Sequence, residues 1–158
     1  ASQYLKKIGK KYNFPFTILR LYQIYGTNQS VNRLIPITIK ACLKNKSFPC
    51  TNGLQRRDFL YIDDLIRLLI LILRKKASNK IFNVGSGKPI KIEKINKIIN
   101  TKVGLGKPLF GKIKMRKDEI KNSFPSISRI KNQYKWSPKV SFEKGIKNTI
   151  FFYEKYGK

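Results

Sequence analysis

Hydrophobic positions fall in short blocks separated by lysine- and asparagine-rich spacers, and the period inside each block assigns its element. Residues 1–13 place Tyr4, Leu5 and Ile8 on one side of a helix with lysines opposite, and Asn13 ahead of Pro15 marks its stop. Phe16 to Leu21 is an apolar run too short for a helix and reads as a buried strand. Residues 22–32, with Gly26, Asn28, Gln29 and Asn32, read as a loop, after which Leu34 to Leu43 forms a helix that tolerates Pro36 near its start. Arg57 to Ile62 is a second strand. Asp63 and Asp64 then fall at the N-cap and first turn of a helix through Leu73 that ends in Arg74, Lys75 and Lys76, charges that complement its dipole. This helix is apolar on nearly every side, which predicts burial between two layers.

Lys80 to Val84 is a third strand, Gly85-Ser86-Gly87 a turn, and Ile92 to Ile99 an amphipathic helix with Ile92, Ile95, Ile98 and Ile99 inward. Beyond residue 103 the pattern loosens around Gly104, Gly106 and Gly111. A short strand is expected at Ile113 to Met115, and helices near 127–135 and 142–156, the latter capped by Ser141. Alternation of strands and helices predicts an α/β chain. Its 158 residues, 41% of them hydrophobic, suffice for one compact domain or a large piece of one. No membrane span is expected, because the Leu65–Leu73 run contains Arg67 and falls far short of about 20 apolar residues. The opening at Ala1 in a lysine-rich helical pattern, without an initiator Met or signal-peptide core, suggests a piece of something longer.

Charge and composition change the picture mainly by exclusion. Thirty-five basic against eight acidic side chains give a formal charge of +27, which would suit a phosphate-rich partner. The lysines are nevertheless spread among Ile, Asn, Phe and Tyr, as an AT-rich coding bias would leave them, rather than clustered on one element. A specific nucleic-acid surface is therefore not expected, and a lysine-rich nucleic-acid-binding module stands as the alternative reading. Cys42 and Cys50, with no histidine, cannot supply a four-ligand zinc site, and Ser-His-Asp and Cys-His catalysis are excluded. Two cysteines without a disulfide pattern point to the cytoplasm. Gly85 to Pro89 and Gly104 to Pro108 each contain Gly-Lys, but proline follows where a phosphate loop needs Ser or Thr, so both read as turns.

A more specific signal is an ordered series of segments: FTILRLYQIYG at 16–26, RLIP at 33–36, RRDFLYIDDL at 56–65, IFNVGSGKP at 81–89, MRKDEI at 115–120 and YKWSPKVSFEKGI at 134–146. In this order they resemble the extended short-chain dehydrogenases of the NAD-dependent epimerase/dehydratase family, specifically the C-terminal half. The resemblance implies the end of a doubly wound, Rossmann-like sheet domain over 1–24 and 57–84, and a smaller α/β substrate lobe over 25–56 and 85–158. It implies an intact enzyme that uses NAD or NADP to epimerise or dehydrate a nucleotide-diphosphate sugar, or to reduce a keto-sugar, as a homodimer. A sugar-nucleotide-binding protein without activity is the third reading.

The family's Gly-rich dinucleotide turn and Tyr-x-x-x-Lys are not in this sequence: none of the eight tyrosines is followed four residues later by lysine. No catalytic residue is therefore assigned, and the cofactor is expected to be held mainly by sequence not present here. For substrate the resemblance implies Arg57 and Arg116 on the diphosphate, where guanidinium forks give bidentate bonds to phosphate oxygens. A local pairing of Arg57 with Asp58 or Asp63 is the competing reading. Glu119 stands where the family has a ribose-binding Asp, and Gln23 where it has a substrate-contacting Asn. Arg33, Leu34 and Ile35 are expected on the nucleotide, the last two through apolar and main-chain contacts with the base. Tyr22 is expected near the nicotinamide edge, with plain packing as its alternative, and Asp63 and Asp64 cap a helix rather than act in catalysis.

Overall fold

The computed structural model describes residues 2–75 and 79–157; Ala1 and Lys76 lie outside the described residues. The amphipathic start becomes α1 (Ser2–Lys11), and the apolar run after it becomes β1 (Thr17–Leu21). The segment read as a loop contains a three-residue strand, β2 (Gln23–Tyr25), before α2 (Leu34–Leu43) and β3 (Ser47–Pro49). The strand expected over 57–62 is broken at Asp58 into β4 (Arg56–Arg57) and β5 (Phe59–Tyr61), and Ile62 already starts α3 (Ile62–Leu73). Then follow β6 (Lys80–Val84), β7 (Ile90–Lys91), α4 (Ile92–Val103), β8 (Lys107–Leu109), β9 (Asn122–Ser123), α5 (Ser128–Tyr134) and α6 (Phe142–Tyr156). The strand expected at Ile113 to Met115 does not form. Its neighbours β8 and β9 do, because partners on β3 and β4 select them.

The strands make small sheets. β1 pairs with β6 in parallel, from Thr17 opposite Lys80 to Leu21 opposite Val84, and β2 pairs with β5 in parallel. β3 pairs with β8, and β4 lies between antiparallel β7 and parallel β9. Splitting the run at Asp58 thus delivers consecutive residues to two different sheets.

Two buried clusters result. One gathers Leu60, Leu65, Leu68, Phe82, Val84 and, from α5 and its exit, Ile130, Tyr134 and Trp136. The other is built on the buried faces of α2, α4 and α6, with Ile39, Ile95, Ile99, Ile146 and Ile150 at its centre. Ile92, Ile95 and Ile99 point inward as their period requires, with Ile98 half-buried beside them. Ser141 caps α6 by accepting from the Lys144 amide at 3.2 Å.

Helix α3 is not enclosed on both sides. Leu65 and Leu68 are buried, whereas Ile66, Leu69, Ile70 and, at 84% exposure, Leu73 face outward, because no described element covers that side. The apolar side of α1 is likewise uncovered at Tyr4 and Leu5. Asp64 does not cap α3 either. Fully buried, it accepts the Lys139 and Val140 amides at 3.0 Å each and pairs with Arg67, while the Trp136 indole donates to its carbonyl. It clamps the segment before α6 onto α3, a task no local pattern announces.

Candidate functional site

The chain changes sheets between β1 and β2, and this change builds the site. Tyr22 donates its amide to Val84 on β6, and Gln23 donates to the Asp58 carbonyl at the β4–β5 break. The following turn folds back: the Gln29 amide group donates to the Ile24 carbonyl at 2.7 Å, and the Tyr153 hydroxyl of α6 donates to the Gln29 carbonyl. Tyr25 anchors the same corner by donating to the Phe142 carbonyl at 3.1 Å. Burial pushes its phenol well above the ordinary range, with the nearby Tyr61 and Glu143 adding in the same direction. Its ring reaches α6 because Gly145 lies opposite; a Cβ there would meet the Tyr25 hydroxyl at 2.2 Å.

Two adjoining cavities open on this corner. One, of about 550 Å³, is lined by residues 21–30 with Arg33 and Ile62. The other, of about 230 Å³, is lined by Gln23, Ile24, Gln29 and Asn32, by Arg33, Leu34 and Ile35 at the start of α2, and by Arg57, Phe59 and Ile92. Gln23, Ile24, Gln29 and Arg33 line both. The structure therefore brings Tyr22, Gln23, Arg33, Leu34, Ile35 and Arg57 to one compound cleft. Gln29 and Asn32 belong to it as well; no motif marked them, and only their place in a polar turn between two elements hinted at it.

Arg57 sits at the floor of this cleft, 16% exposed at its side chain. One guanidinium nitrogen donates to the Arg56 carbonyl at 2.8 Å and another pairs with Glu119. Local pairing with Asp58 or Asp63 does not occur. Asp58 is fully buried and turns the other way, accepting the Ser86 amide at 2.5 Å and the Gly87 amide at 2.7 Å. Gly85 makes room for this contact, since a Cβ there would lie 2.9 Å from an Asp58 oxygen and 2.6 Å from Pro125. The Ser86 and Gly87 amides of this turn are thus occupied from within by Asp58.

Glu119 joins the site through Arg57. Arg116 does not line either cavity; its side chain is exposed and its carbonyl accepts the Glu119 amide at 3.3 Å. Among the described residues no cluster of three or more metal-ligating side chains occurs, and no helix is long and apolar enough to cross a membrane.

Comparison with known proteins gives a consistent result. Residues 1–85 match the model of the NAD dependent epimerase/dehydratase family. CDP-abequose synthase of Salmonella muenchen is 33% identical over 138 residues, covering 85% of this chain and 47% of that protein. The dTDP-D-glucose 4,6-dehydratase of Mus musculus is 28% identical over 172 residues, covering 98% and 45%. Among solved structures, UDP-glucose 4-epimerase of Thermotoga maritima, determined with UDP-glucose, superposes with a TM-score of 0.90 at 25% identity over 99% of this chain and 51% of that one. A UDP-glucuronic acid 4-epimerase from Bacillus cereus, in complex with a fluorinated UDP-glucuronic acid and NAD, gives 0.88 at 26% identity over 98% and 50%. The chain spans about half the length of the relatives it matches.

Proposed function

This chain belongs to the NAD dependent epimerase/dehydratase family, and from that premise we propose that it is the C-terminal, sugar-nucleotide-binding half of an enzyme that epimerises or dehydrates a nucleotide-diphosphate sugar, or reduces its keto form. The observation that carries the proposal is the convergence of Gln23, Arg33, Leu34, Ile35 and Arg57 on one cleft at the junction of β2, β5 and α2. In this reading the Arg57 fork meets the diphosphate, which would otherwise leave water without compensation. Leu34 and Ile35 offer apolar surface and backbone to the base. Gln23 supplies a side-chain amide one methylene longer than the family's Asn. Glu119 holds Arg57 in the absence of ligand and turns to ribose when phosphate takes its place. Arg116, exposed one turn away, joins by closing over the bound diphosphate.

Half of the machinery lies elsewhere. β1 carries a strand only on its β6 side among the described residues, and Tyr4, Tyr12, Phe14, Leu21, Ile66 and Leu73 are exposed. A parallel edge with one strand neighbour, on a chain that leaves apolar side chains uncovered, fits a sheet continued by further sequence. NAD or NADP would supply hydride transfer at the sugar. This chain's residues fit one edge of such a cofactor, through Tyr22 and the 550 Å³ recess, since the Ser86 and Gly87 amides of the turn after β6 are bound to Asp58. Here the chain's share of the work is to bind and orient the sugar nucleotide in the cytoplasm, with a homodimer as the intact enzyme.

The test is steady-state kinetics on the enzyme reconstituted with its nucleotide-binding half. Arg57→Ala should raise the KM for sugar nucleotide about ten- to a hundredfold, the loss of one charge-assisted contact, with bound-cofactor absorbance unchanged. Arg57→Lys should restore part of the loss, because an ammonium keeps the charge without the fork. Unchanged KM in a folded Arg57→Ala enzyme would make Arg57 a structural partner of Glu119 only.

A further inference from the structure

A further large cavity among the described residues lies apart from the proposed sugar-nucleotide cleft. A recess of about 640 Å³ opens at the seam between the two core clusters, bounded by the Ser86–Ile90 turn, α4, α5 and the 137–143 segment. It shares only Phe59 with the sugar-nucleotide cleft. Its volume falls within the range of about 300–1,000 Å³ typical of small-molecule sites, and seams between cores are where such sites concentrate.

Its chemistry is two-sided. Phe59, Ile90, Val140 and Phe142 present apolar surface, the first buried and the others half-buried against the α2–α4–α6 core. Around them stand the ammonium groups of Lys88, Lys94, Lys131 and Lys139, opposed by the single carboxylate of Glu143. None of these four lysines is in an ion pair among the described residues.

The walls are also held in place from behind. Asp58 fixes the Ser86 and Gly87 amides on one side, and Asp64 fixes the Lys139 and Val140 amides on the other. Two buried carboxylates, both fully enclosed, set the spacing of facing lysine-bearing segments before any ligand arrives. A preformed cavity spares a ligand the cost of ordering its walls. Lys6, Arg20, Lys80 and Arg129 also line a cavity, but at the 640 Å³ recess the positive charge rims aromatic and aliphatic side chains.

We propose that this recess is a second ligand site, separate from the sugar-nucleotide cleft, that takes an amphipathic anion: a phosphate or carboxylate head held by Lys88, Lys94, Lys131 and Lys139, with an apolar body against Phe59, Ile90 and Phe142. The inference does not depend on the reading of the other cleft.

Hexyl phosphate, inorganic phosphate and hexyltrimethylammonium are the probes, titrated into the purified 15N-labelled chain. Hexyl phosphate should saturate with shifts at Ser86, Lys94, Lys131 and Val140. Inorganic phosphate should bind at least about tenfold more weakly for want of apolar contact, and the cation should not bind. Lys88→Gln with Lys139→Gln should weaken hexyl phosphate about five- to tenfold at unchanged thermal midpoint, two exposed charges being lost. Lys94→Gln with Lys131→Gln, on helices α4 and α5, should do the same and serves if the first pair perturbs folding. Equal affinity for inorganic phosphate, or shifts confined to the apolar sides of α1 and α3, would overturn the proposal. So would binding to phosphatidic acid vesicles without binding of the soluble phosphate, which would make the lysines a membrane-surface patch.

Discussion

Asp58→Ala should destabilise the chain more than any substitution in the cleft itself. The wild-type carboxylate is fully buried and accepts two amides, from Ser86 at 2.5 Å and Gly87 at 2.7 Å. Removing it leaves both N–H groups without a partner at a seam where Gly85 and Pro125 already fill the space. A hydrogen bond to a charged group contributes about 1.5–3 kcal/mol, so the pair amounts to about 3–6 kcal/mol. That is a large share of the roughly 5–15 kcal/mol by which a domain of this kind is stable. At about 2–4 °C per kcal/mol for a chain of this length, the midpoint should fall by about 6–24 °C. Asp58→Asn should lie between, because its carboxamide keeps one acceptor but sets an NH₂ against an amide N–H. The assay is urea and thermal unfolding followed by circular dichroism on the three proteins. A midpoint for Asp58→Ala within the scatter of surface substitutions, about 0.5 kcal/mol, would show that β6 and Pro125 hold the turn unaided and that the clamp is incidental.

Other outcomes follow from the same structure. The isolated chain should neither retain NAD nor turn over UDP-glucose, which cofactor absorbance and a coupled assay on the purified protein would check; detectable hydride transfer would contradict the proposal that this chemistry needs a separate nucleotide-binding half. Burial raises the Cys42 and Cys50 thiols and the Tyr25 phenol above their ordinary values, so the folded state resists their ionisation. Their contribution is therefore complete below the unfolded thiol value of about 8.5 and is lost as pH rises above it, and denaturant midpoints should decline from pH 8 to pH 10.5. Duplex DNA should bind weakly, without sequence preference and with affinity collapsing between 50 and 200 mM salt, as about 10 phosphate contacts or fewer would require; tight, sequence-selective binding at the higher salt would favour the nucleic-acid reading.

Sequence legibility tracked the range of the forces involved. α2 and β6 emerged with the bounds their apolar periods gave, and Ser141 capped α6 because capping is decided within three residues. β2 was hidden in a polar turn, since three residues carry no period and its reason to exist is β5, more than thirty positions away. The break at Asp58 was not read from RRDFLYI: Asp is a poor strand residue, but what breaks the run is the pull of its carboxylate to the turn at 86–87, which no local pattern carries. β8 contains Pro108, a residue that sequence reading places in a turn but an edge strand accepts. Motif resemblance singled out Gln23, Arg33, Leu34, Ile35 and Arg57, which line one cavity. The Arg57–Glu119 pair spans 62 positions and was not foreseen, nor was the exposure of Arg116 outside both cavities.

A sugar-nucleotide cleft in this chain is open to direct test by amide shift mapping during titration with UDP-glucose. Saturable shifts are expected at Gln23, Gln29, Arg33, Leu34, Ile35 and Phe59, abolished by Arg57→Ala and reproduced in part by UDP alone. Shifts absent from these residues at millimolar ligand, or unaltered by Arg57→Ala in a folded protein, would contradict it.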